Sequence, residues 1–233
     1  MATISWRYKG SCDSFVSQDP LSGNQDCAFI EAVLFQSKLT CSDCGFQSRP
    51  SKQVKSGFMQ IRPRNADYDS REVSNWTVVC PFCHAYYRMT AALDSEKYRI
   101  IAAPWISQSE LSNIVRPLLV ILSDIEHLYY TEALQIYKTL LSSESAVAAL
   151  LPHIPATEAT PADNLKRYFN LFDSVLTDQQ YLDRHIFASS LRMIPDKAHF
   201  SVESNYWNAA IYNQYPLSKW ERLVSWKLEQ KSE

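Results

Sequence analysis

The sequence predicts an α+β fold: a treble-clef zinc module built on four cysteines, followed by a mostly helical C-terminal region. Three observations carry this. Cys41-Ser42-Asp43-Cys44 and Cys80-Pro81-Phe82-Cys83 are two C-x-x-C couples with 35 residues between them, the pattern of a four-thiolate tetrahedral site for one structural Zn2+. The stretch between them offers two short strands. From Ser107 onward, apolar residues recur with a period near 3.6, as on helices that bury one face. The chain then reads as a lead-in over 1–36, the zinc module over 37–103 and a helical region over 104–233 packed on the module.

Element by element, Thr3–Tyr8 alternates as a strand would, with Ile4 and Trp6 on one face. Asp26–Gln36 places Phe29, Val33 and Leu34 at helical spacing. Cys41–Gly45 has the form of a zinc knuckle, with Gly45 free to take the positive φ of such a turn. Gly57–Arg62 predicts a strand, Pro63–Ser74 a loop, and Trp76–Val79 a second strand that delivers the second couple. That couple opens a helix over Ala85–Leu93. Knuckle, hairpin and helix together describe a treble clef.

Ser107 to Glu110 fits a capping box, with Ile106 and Leu111 placed as a hydrophobic staple. Leu111, Ile114, Val115, Leu118, Leu119 and Leu122 form the apolar stripe of the helix that follows, and Pro117 should kink it or end it early. Glu132–Leu141 is a second helix. Pro152–Pro161, with three prolines, reads as an exposed loop. Helices are expected over Asn164–Phe172 and from Thr177 through Leu191, the latter stopped by Pro195, and over Leu217–Leu228 with Trp220, Leu223 and Val224 along one side.

Composition narrows the function. Net charge is −2, whereas a dedicated nucleic-acid binder is usually strongly basic. The four glycines build no G-x-G-x-x-G or G-K-[ST] loop, so no phosphate cradle is expected. No run approaches the roughly 18 apolar residues of a membrane span, and Met1–Gly10 lacks a signal-peptide pattern. A cytoplasmic protein without membrane insertion is expected, and in that compartment cysteines favour metal over disulfide. Cys12 and Cys27 stand outside the quartet and read as free thiols.

Four thiolates complete a tetrahedron, which makes the site structural. Modules of this kind also scaffold HNH-type nucleases, which need a histidine on the hairpin to activate water. Between Cys44 and Cys80 there is no histidine, so no general base stands there and no catalytic residue is expected. The same interval holds Arg49, Lys52, Lys55, Arg62, Arg64 and Arg71 against Asp67, Asp69 and Glu72. Its local positive excess is either a solvated face or a contact for phosphate or an acidic peptide.

Several segments, in collinear order, resemble the IcmJ/DotN family of the Dot/Icm type IVB secretion system and its relatives on I-type conjugative plasmids. They are Leu39–Ser48, Asn75–Ala85, Pro104–Leu111, Ala133–Tyr137 and Leu191–Phe200, followed by Tyr206-Trp207. The resemblance implies an HNH-like but non-catalytic zinc module with added helices. It also implies a role as a non-enzymatic adaptor in the coupling complex, peripheral to the inner membrane. There the family binds the cytoplasmic C-terminal extension of the DotL-like coupling ATPase, beside other coupling-complex subunits, and helps recruit substrates for export. Two departures stand out. The family hairpin can carry an Asp-His pair that Gln60–Asn65 lacks, and the tail after about residue 212, with Trp220 and Trp226, is longer. Aromatic and arginine anchors dominate such interfaces. Tyr206 and Trp207 are the expected partner-binding aromatics, with Arg62 and Arg64 for an acidic segment. The alternative is a zinc-dependent nucleic-acid-binding module, a degenerate nuclease.

Overall fold

The computed structural model describes residues 27–65, 67, 69–147, 169 and 189–229. The expected strand at Thr3–Tyr8 and the loop at Pro152–Pro161 lie outside these residues, as do Cys12, the side chain of Cys27 and nearly all of the helices expected over Asn164–Phe172 and Thr177–Leu191. The chain is mixed α+β and forms two compact units, Met1–His84 and Ala85–Glu233.

In the first unit, helix α1 (Cys27–Gln36) buries Ile30, Val33 and Leu34. Phe29 meets Trp76 edge-on at 5.7 Å. Strands β1 (Gln60–Pro63) and β2 (Trp76–Val79) pair antiparallel, Gln60 opposite Val79 and Pro63 opposite Trp76. The first strand starts later than its apolar residues suggest. Gly57 and Phe58 both have positive φ, +57° and +65°, so the chain there is a turn and cannot pair. All four residues of β2 are buried. Within the connection, Trp76 Nε1 donates to the Ser70 carbonyl at 3.0 Å.

Helix α2 (Pro81–Tyr87) crosses the division between the units. The single helix expected over Ala85–Leu93 is in fact two. Arg88, at φ −130° and ψ 50°, leaves the helical region and separates α2 from α3 (Met89–Asp94).

The second unit holds a sheet that the helical reading omits. Strands β3 (Tyr98–Ala102) and β4 (Leu191–Pro195) pair antiparallel, Ile100 opposite Met193. Leu191 is therefore strand, not the end of a helix. Tyr98–Ala102, grouped by sequence with the cysteine module, makes its ladder with β4. Every residue of β4 is buried, including Arg192, whose guanidinium donates to the carbonyls of Ile106, Ser189 and Leu191. Gln108 covers the outer edge of β4: its amide donates to Met193 O and accepts from Met193 N, both at 2.9 Å. One side chain thus satisfies the backbone groups that a third strand would.

Helix α4 (Gln108–Leu122) has the expected capping box at Ser107 and Glu110. It runs on through Pro117 without the early break. Proline costs one backbone donor, while the stripe Leu111, Val115, Leu118, Leu119 is buried on both sides of it. Helix α5 (Tyr130–Ser142) packs on α4 and β3, α6 (Ser201–Ala210) on α4, and α7 (Leu217–Glu229) on α5. Tyr137 of α5 donates to the Pro195 carbonyl at 2.8 Å and accepts from Lys197 N. Burial raises its phenol to about 12. No described helix is long and apolar enough to cross a membrane.

Candidate metal centre

The two couples converge. Cys41, Cys44, Cys80 and Cys83 present four sulfurs that all lie within 4.8 Å of one another, and Cys44 Sγ stands 3.7 Å from Cys80 Sγ. Thiolates about 2.3 Å from a zinc ion at the corners of a tetrahedron would be about 3.8 Å apart. A disulfide needs about 2.05 Å, and all four cysteines are free. The cluster contains no histidine. His84, adjacent to Cys83, is buried but outside it.

Local backbone places each thiol. Cys41 and Cys44 sit on a turn closed by Gly45 N donating to Cys41 O at 3.0 Å and Cys41 N to Phe46 O at 2.8 Å. Gly45 takes φ +71°, as the turn requires. Ser42 N donates to Val78 O at 2.8 Å, which fastens the knuckle to β2. Cys80 directly follows β2, and its carbonyl accepts from His84 N at 2.9 Å, the first bond of α2. Pro81 occupies the first helical position, where its missing N–H costs nothing. Cys83 follows in the first turn. Strand end and helix start thus aim the second couple at the first.

The centre is closed. Cys41, Cys80 and Cys83 are buried, and only Cys44 keeps partial exposure. Crowding splits the thiols. At Cys41 the contact with Cys44 works upward, but those with Cys80 and Cys83 outweigh it and bring the thiol down to about 7. Cys83 is raised, by its contacts with Cys41, Cys44 and Cys80 and by burial. The Cys41 thiolate is thus favoured at the expense of Cys83. Ionising all four in so small a volume requires a cation among them, and the four sulfurs suit a thiophilic metal with no position left open.

Around the thiols, Arg62 Nη2 stands 3.6 Å from Asp43 Oδ1, and Ser42 Oγ donates to the same oxygen at 3.0 Å. The predicted anchor Arg62 is therefore engaged inside the unit, where its charge offsets an acidic residue of the knuckle itself. Arg64 is exposed just past β1. Tyr206 is half-buried on α6. Trp207 is fully buried, which corrects its assignment to a partner surface: it is core, with the Arg116 guanidinium 5.8 Å from its ring centroid.

Sequence reasoning passed over Gly57, although with four glycines in the chain each one is a signal. Its carbonyl accepts from Ser48 Oγ at 2.7 Å. An added Cβ would run into Ser48 Oγ and meet Arg49 O at 2.8 Å, at a φ of +57°. Gly57→Ala is expected to cost about 3 kcal/mol, from left-handed strain and overpacking together. Gly45→Ala, which meets nothing within 4 Å, should cost about 1 kcal/mol. Urea unfolding of the metal-loaded variants separates the two, and equal costs would show that the Gly57 turn yields.

No family model matches the chain, and no curated protein matches it.

Proposed function

We propose that the four cysteines hold one structural zinc ion in a treble clef. On this zinc-folded module the chain acts as a non-enzymatic adaptor of a type IVB secretion or conjugation coupling complex. It binds the cytoplasmic C-terminal tail of the coupling ATPase, peripheral to the inner membrane, and helps recruit substrates. The observation that carries the reading is the closed thiol cluster. A four-thiolate tetrahedron offers substrate no coordination position, and the hairpin beside it, Gln60–Pro63 paired with Trp76–Val79, contains no histidine of the kind a nuclease would need. What this arrangement supplies is a rigid platform, because metal binding is itself folding free energy. The cysteine turn, antiparallel hairpin and helix, in that order along the chain, support the treble-clef reading. The partner and the machine rest on the family resemblance.

The nucleic-acid alternative needs a basic face. Two of its cations are engaged within the unit, Lys55 Nζ with Glu31 at 2.9 Å and Arg62 with Asp43.

Co-expression with the tail of the cognate coupling ATPase, followed by pull-down and metal analysis, tests the proposal. The expected result is a stoichiometric complex that survives nuclease treatment and carries about one zinc per chain. Zinc without tail binding would overturn the adaptor reading. Tight DNA binding that collapses with salt would favour the alternative.

A further inference from the structure

In the second unit, the turn joining α4 to α5 carries Asp124-Ile125-Glu126-His127-Leu128-Tyr129. Ile125 is 72% exposed and Leu128 69%. The turn holds them out firmly. Asp124 Oδ1 accepts from Glu126 N at 3.0 Å, Asp124 O from His127 N at 3.1 Å and His127 Nδ1 from Tyr129 N at 3.2 Å. The start of α7 lies against this turn. His127 meets Trp220 edge-on at 5.4 Å, and Tyr129 Oη donates to Glu221 Oε1 at 3.3 Å. One helical turn before Trp220 stands Leu217, 61% exposed. Tyr212 and Tyr215 stand 5.7 and 5.8 Å from Trp220.

Exposed aliphatics thus stand both on the turn that Trp220 and Glu221 contact and one helical turn from Trp220 on α7, and exposed apolar residues drawn together mark interaction sites more than scattered ones do. Charge identifies the occupant. Between Pro117 and Tyr137 the charged residues are Asp124, Glu126 and Glu132, with no lysine or arginine, and all three are exposed. Glu221 adds a fourth carboxylate from α7. Against them stand Lys219, whose ammonium lies 4.5 Å from the Tyr215 ring centroid, and Arg222.

We propose that Ile125, Leu128 and Leu217, rimmed by Asp124, Glu126, Glu132 and Glu221, form a docking surface for a basic amphipathic segment of a partner protein. The aliphatic side chains take the segment's apolar face, and the carboxylates pair with its flanking lysines or arginines. The turn's own hydrogen bonds spare part of the ordering cost of association. This goes beyond the adaptor reading, since the surface is specified by its chemistry whichever partner the first unit serves.

The test uses the full chain and helical peptides that share one leucine spacing but carry lysine, glutamine or glutamate between the leucines. Binding is measured by anisotropy, and isoleucine and leucine methyl shifts locate the site. The lysine peptide is expected to bind at least tenfold more tightly than the glutamate peptide, less tightly as salt rises, and to shift the methyls of Ile125, Leu128 and Leu217. The double variants Ile125→Ser with Leu128→Ser, and Glu126→Lys with Glu132→Lys, should each weaken it about tenfold or more. All four positions are exposed, so both variants should keep the parent circular dichroism. Failure of every peptide to bind, binding without charge preference, or equal binding by the variants would overturn the proposal. So would self-association of the chain abolished by Leu128→Ser, which would give the surface to a second copy.

Discussion

Replacing Cys80 by serine is expected to abolish stoichiometric metal binding and unfold the unit that carries the four cysteines. Cys80 is fully buried between β2 and α2, with its sulfur 3.7 Å from Cys44 Sγ. A serine hydroxyl there is harder, does not ionise near neutral pH and leaves three thiols to share the ion. Apparent free energies of structural zinc sites are about 10 to 16 kcal/mol. A typical domain is stable by only about 5 to 15 kcal/mol, so the loss leaves little to hold the knuckle against the hairpin. Excess chelator should have the same effect on the parent chain. Metal analysis with circular dichroism and proteolysis reads the outcome. Cleavage should concentrate before His84, while β3, β4 and their helices stay protected, because that core contains none of the four ligands. A metal-free Cys80→Ser chain that unfolds cooperatively at the parent's denaturant midpoint would refute a folding role for the metal.

The thiol cluster was legible because it is a local pattern with a strict geometric demand. Two C-x-x-C turns can serve one metal only if they converge, and the sulfurs do come together. The capping box at Ser107 was legible for the same reason. The sheet of the second unit was not. Tyr98–Ala102 and Leu191–Pro195 are short runs whose partners lie far away in sequence, and a short apolar run does not reveal its period. Arg192 disguised β4 further, because its charge reads as surface until the three carbonyls that receive it are seen. Arg62 shows how sequence neighbours differ from spatial ones. Its neighbours in sequence suggest a basic face, but its neighbour in space is Asp43. The exposed aliphatics at Ile125 and Leu128 look in sequence like any turn between helices, and only the structure shows Trp220 arriving against His127 of that turn.

Trp207 allows the sharpest separation of core from surface. As a partner anchor, its truncation would weaken an interaction and leave the free chain as stable as before. As the structure has it, Trp207 is 0% exposed on α6, and the guanidinium over its ring belongs to Arg116, itself 1% exposed in the middle of α4. Trp207→Ala is therefore expected to destabilise the second unit by about 4 kcal/mol, the usual range for losing a buried indole. Losing the cation–π contact of a desolvated arginine adds to this. Trp207→Phe, which keeps a ring for Arg116, should recover a large part of the loss. Tyr206→Ala, next along the same helix but half-buried, should cost about 1 kcal/mol. Urea unfolding followed by near-ultraviolet circular dichroism measures all three. If Trp207→Ala left the free chain at the parent's midpoint, the packing of α6 on α4 through this pair would be wrong, and with it the reassignment of Trp207 from partner surface to core.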